Sequence, residues 1–67
     1  MNDAIQRFQA GVAAGRRELE PYQLGWRQFD RGSSGVWVDV TEAHVAMIEA
    51  EIAELERVIA IGEARAL

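Results

Sequence analysis

The chain has 67 residues, enough for one domain and no second, and a chain this short buries only about 60% of its unfolded surface, so its own core is marginal. It has no cysteine and one histidine, His44, which argues against a disulfide framework and against thiolate or histidine-rich metal sites. A net charge of −4 argues against a general DNA binder, which needs a dominant positive field.

At the start of the chain, Asn2 or Asp3 suits a helix cap, with an acidic group well placed against the N-terminal dipole. Ile5, Phe8, Val12 and Leu19 follow the three-four spacing of an apolar helical stripe, and Gly15 occupies the missing position. Two interior glycines, Gly11 and Gly15, each cost a helix about 1 kcal/mol relative to alanine. Two readings stay open: a flat notch for a neighbouring helix or an aromatic ring, or a helix that frays near Gly15. Pro21 disfavours helix at Glu20, so the helix is expected over about 3–20. The opening MNDAIQRFQ has no apolar core of signal-peptide length, and no apolar run approaches the roughly 20 residues that span a bilayer. A soluble protein without a membrane partner is expected.

The period then changes to two. Tyr22, Leu24 and Trp26 alternate with polar or small residues, and Val36, Val38 and Val40 alternate with Trp37 and Asp39. The stretch Asp30-Arg31-Gly32-Ser33-Ser34-Gly35 between them has turn composition. This predicts a hairpin over about 22–40 with a loop of about four to six residues. An isolated hairpin is marginal in water. One face, namely Leu24, Trp26, Val36, Val38 and Val40, is therefore expected against the helices, turning Trp37 and Asp39 outward.

Thr41 reads as the N-cap of a long helix with Glu42 in its first turn, and Asp39 with Glu42 offers an alternative capping box. Val45, Ile48, Ile52, Leu55 and Ile59 form its apolar stripe, Gly62 its expected stop. Glu42, Glu49, Glu56 and Glu63 fall seven apart as an acidic ridge. The expected fold class is α+β, a small α-β-β-α domain with two helices packed on a two-stranded antiparallel hairpin.

Nothing in this order supplies a catalytic set. His44 lacks a local nucleophile or orienting acid, and Ser33 and Ser34 are turn residues. The glutamates lack the Glu-x-x-His pattern of di-iron bundles. Gly32-Ser33-Ser34-Gly35 lacks the lysine of a phosphate loop. A non-enzymatic protein with no cofactor and no metal is expected. Residues 1–35 carry five arginines against four acids, whereas 36–67 carry two against seven. That polarity suits contacts between copies or with a partner of mixed charge. All seven basic residues are arginine, the side chain suited to bidentate contacts, although a G+C-rich coding sequence also explains the absence of lysine. Charge and strand alternation nominate Arg16, Arg17, Arg27, Arg31 and Trp37 as interface residues, with Glu49 and Glu56 from the ridge.

A short helix, a hairpin with a polar Gly-rich turn, and an amphipathic helix containing Ile52-Ala53-Glu54-Leu55-Glu56 resemble the W-protein (gpW-like) family of small head–tail joining proteins of tailed bacteriophages. The second helix reads longer here, and no individual functional residue carries over. The resemblance implies a neck component of the virion, built in the host cytoplasm. It would form a ring of copies below the portal after DNA packaging, close to the packaged DNA without sequence-specific binding. It would then offer a surface to the next tail-side connector protein. Two other readings stand beside it: a small acidic inhibitor of a nucleic-acid enzyme using the ridge, and a homodimer through the long helix.

Overall fold

A computed structural model describes residues 3–66, with the side chain of Ala66 excepted. The chain is α+β, in the order helix α1 (Asp3–Gln23), strand β1 (Phe29–Arg31), strand β2 (Trp37–Asp39) and helix α2 (Thr41–Ala66). The helices pack side by side, and they meet the antiparallel hairpin at its base. Asn2 as a cap lies outside the described residues.

The two apolar stripes find each other. Val12, Ile48 and Ile52 form the buried core, with Leu19, Tyr22, Leu55 and Ile59 packed around it. Gly11 and Gly15 form the notch that admits α2: a Cβ at Gly11 would meet Leu55 Cδ1 at 3.0 Å, and one at Gly15 would meet Ile52 Cγ1 at 2.7 Å. The occupant of the notch is thus a helix, and α1 runs through it without fraying.

Helix α1 also outlasts the expected stop at Glu20. Pro21 sits inside its last turn, and the end comes at Gly25, whose φ of 101° is open to glycine at little cost. Trp26 N–H donates to the Pro21 carbonyl (3.0 Å) and Gly25 N–H to the Tyr22 carbonyl (3.1 Å), the paired bonds of a Schellman cap. The alternation at Tyr22, Leu24 and Trp26 is therefore not a strand. Those residues form the last helical turn and its cap, and the first strand starts later, at Phe29.

Register pairs Phe29 with Asp39, Asp30 with Val38 and Arg31 with Trp37. Asp30 and Arg31 belong to β1, and five residues, 32–36, connect the strands, within the expected loop length; the innermost three are closed off by the Gly32–Val36 bond. Gly35 N–H donates to the Gly32 carbonyl (2.9 Å) and Gly32 N–H to the Val36 carbonyl (3.0 Å), and Gly35 takes a φ of 82°. This is the three-residue hairpin loop with a bulge glycine.

Three further expectations are corrected. Thr41 is not the N-cap: His44 N–H donates to the Val40 carbonyl (2.9 Å), so Val40 caps α2 and frees the Thr41 hydroxyl for other bonds. Gly62 does not stop α2; it lies within the helix, where a Cβ would rest 3.4 Å from Ile5 Cδ1. The face expected to lie on the helices stays largely open: Leu24, Trp26, Val36 and Val38 are 83%, 69%, 61% and 51% exposed, and only Val40 is half-buried. The helices pack chiefly on each other, and they reach the hairpin only at its base.

The outcome is a thin plate of 53 × 25 × 15 Å. Its thickness hardly exceeds the roughly 10–12 Å diameter of one helix. The radius of gyration is 15.9 Å, against about 11 Å for a globular chain of this length. The accessible surface is 5358 Å², where a folded monomer of this mass exposes about 4,250 Å².

The helix contact predicts opposite outcomes for two alanines. Gly15→Ala drives a Cβ into buried Ile52 and is expected to destabilise by about 1 kcal/mol, overpacking outweighing the gain in helix propensity. Gly62→Ala meets ordinary van der Waals space and should stabilise by about 0.5–1 kcal/mol. Urea unfolding followed by helical circular dichroism checks both.

Candidate functional site

The surface open to a partner at the hairpin end of the plate is set by a polar clasp at the base of the strands. Thr41 is buried, and its hydroxyl accepts the Gln28 N–H at 2.7 Å while donating to Asp39 Oδ1 at 2.5 Å. Asp39 Oδ1 also accepts the Thr41 N–H at 3.0 Å, and Asp39 Oδ2 accepts Arg27 Nε (2.9 Å) and Nη2 (2.5 Å). Val40 N–H donates to the Gln28 carbonyl at 2.8 Å, and Tyr22 donates its hydroxyl to Gln28 Oε1 at 3.3 Å. One carboxylate therefore ties together the start of α2, the end of β2 and the connector before β1.

These bonds favour the charged carboxylate. The Thr41 hydroxyl and N–H, and then the Arg27 guanidinium, hold Asp39 at a pKa of about 2, below its ordinary 3.8. His44 is half-buried on the neighbouring turn of α2, with its ring edge-on to Tyr22 at 5.4 Å. This second link joins α1 to the N-terminal turn of α2.

Cross-strand pairing and alternation put Phe29, Arg31, Trp37 and Asp39 on one face of the hairpin and Asp30 and Val38 on the other. Trp37 is 64% and Phe29 50% exposed. The Arg31 guanidinium lies 6.0 Å from the Trp37 ring centroid and donates through Nε to the Gly35 carbonyl at 3.1 Å, which fixes it against the turn. Leu24 and Trp26 in the connector are exposed as well, so most of the large exposed apolar side chains lie between residues 24 and 38.

The residues nominated from sequence fall into two groups. Arg27, Arg31 and Trp37 meet at the hairpin, with Arg27 engaged by Asp39. Arg16 and Glu56 pair with each other across the helices at 3.1 Å, an exposed bridge worth about 0–1 kcal/mol, and Glu49 lies along the same groove. Arg17 is exposed on α1 and forms no ion pair among the described residues. Phe29 is the residue that sequence reasoning missed. Its signal was the alternation Arg27, Phe29, Arg31 opposite Asp39 and Trp37, hidden by starting the strand at Tyr22.

Among the described residues, no group of three or more His, Cys, Asp or Glu side chains could hold a metal ion, and no helix is long and apolar enough to cross a membrane. Comparison with known proteins finds no matching family model, no matching curated protein and no matching solved structure.

The clasp predicts a specific acid sensitivity. Because Asp39 is more acidic folded than unfolded, its stabilising effect is complete above about pH 4 and is lost as the pH falls toward 2. The stability gap between wild type and Asp39→Asn should therefore be widest near neutrality and close through that window. Thermal midpoints measured from pH 7 to pH 2 check it.

Proposed function

We propose that the protein is a non-enzymatic structural adaptor of the phage head–tail joining kind, assembling as a ring of copies on a portal and presenting a docking surface to the next tail-side protein. The observation that carries this reading is the uncovered hairpin, with aromatic and valine side chains exposed on both faces at one end of a plate too thin to bury them. A protein built this way gains stability when partners bind only its folded form. The W-protein-like order of elements suggests the setting, a virion neck assembled in the host cytoplasm. The uncovered hairpin suggests the mode.

On this reading Phe29 and Trp37 are the anchors, since aromatic side chains and arginine dominate binding energy at interfaces. Arg31 beside Trp37 presents a cation at the edge of that anchor. The acidic character of 36–67 against the nearly neutral 1–35 suits head-to-tail contacts, which close into rings when the rotation allows.

Purified protein mixed with portal-bearing, DNA-filled heads should co-sediment with them. Trp37→Ala and Phe29→Ala should each weaken that association about tenfold or more while leaving helical circular dichroism unchanged. Absence of co-sedimentation by the wild type would remove the head–tail assignment.

A further inference from the structure

The helix pair carries a second surface, unrelated to the hairpin. Three shallow hollows of about 390, 370 and 270 Å³ line up along one side of the α1–α2 seam. Adjacent hollows share wall residues, Arg16 and Glu56 at one junction and Leu19 and Glu49 at the other, so they form one continuous groove. Its floor is apolar: Val12, Leu19, Val45, Ile52 and Ile59. The α2 wall is the whole acidic ridge, Glu42, Glu49, Glu56 and Glu63. The α1 wall is Gln9, Arg16 and Gln23, also seven residues apart.

We propose that this groove seats a basic amphipathic helix from a partner protein. Three features of the groove select that occupant. From Glu42 to Glu63 the ridge runs about 30 Å along α2, the length of a helix of about 20 residues. Walls that repeat every seven residues are the footprint of a third helix lying nearly parallel to the pair, its apolar stripe on the floor. Charge supplies the last argument. Arg16 answers Glu56, but Glu42, Glu49 and Glu63 have no ion-pair partner among the described residues. Arginines or lysines at seven-residue intervals beside the apolar stripe would meet each of them.

The same charges disfavour the other occupants. A second copy brings an α2 with six glutamates against two arginines, and an α1 whose three arginines are balanced by three acids, so neither offers a basic stripe. Nucleic acid would bring phosphates against carboxylates. The proposal does not depend on the hairpin reading, because the groove shares none of the hairpin's exposed side chains.

The test uses the full chain and a fluorescein-labelled synthetic helix of three heptads. Leucine stands at the first and fourth positions, arginine at a flanking position of each heptad and alanine elsewhere; a matched peptide carries glutamate for arginine. Fluorescence anisotropy should show saturable, salt-sensitive binding of the arginine peptide and none of the glutamate peptide. The triple variant E42Q/E49Q/E63Q should weaken binding about tenfold or more with its helical circular dichroism intact. Trp37→Ala should leave binding unchanged, which separates a failure here from a failure at the hairpin. Equal binding of both peptides, no binding of either, or indifference to the triple variant would overturn the proposal. So would a wild-type dimer in sedimentation that the triple variant abolishes, since a second copy would then own the groove.

Discussion

Everything in this fold depends on how closely two helices approach at a pair of glycines. Gly11 and Gly15 lie on one face of α1, and without side chains there Leu55 and Ile52 of α2 come within about one atom of the α1 backbone. Among the described residues the resulting contact buries only Val12, Ile48 and Ile52 well, a very small core. Two helices satisfied by each other form a single layer, whereas most domains close a core between two. Thinness, extra surface and open side chains all follow from that arithmetic.

Attachment of the hairpin has a different physical basis. Apolar burial contributes little there, since all six residues of β1 and β2 are exposed. Hydrogen bonds converging on Thr41 and Asp39 hold it, reinforced by two Arg27 donors on Asp39 Oδ2. Charge-assisted bonds are directional, so the clasp sets the angle at which Phe29 and Trp37 project, even without packing beneath them. An apolar anchor would have stabilised the hairpin more and hidden the side chains that now stand exposed on it.

The molecule therefore has two surfaces of different character: an aromatic, arginine-edged hairpin at one end and an acidic, apolar-floored groove along the helices. Their chemistries do not overlap, so the two proposed contacts would not compete for the same side chains.

Much of this was legible in the residue pattern. The helix–strand–strand–helix order and the acidic ridge follow from local periodicity, which depends on the chain alone. The glycine notch was one of two open readings, and Trp37 is exposed although Val36 and Val38, meant to turn it outward, are exposed too. The errors share a cause. Pro21 and the Tyr22, Leu24, Trp26 alternation signalled a strand, but a helix end is decided by where carbonyls find donors, and Gly25 supplied that four residues past the proline. Gly62 looked like a stop until Ile5 of the other helix lay against it. Periodicity, composition and charge by themselves determined which faces are apolar and which acidic. Only the tertiary structure decided which apolar faces meet, because two long stripes bury more surface against each other than either could against a three-residue strand, and that choice is what left the hairpin bare and the groove open.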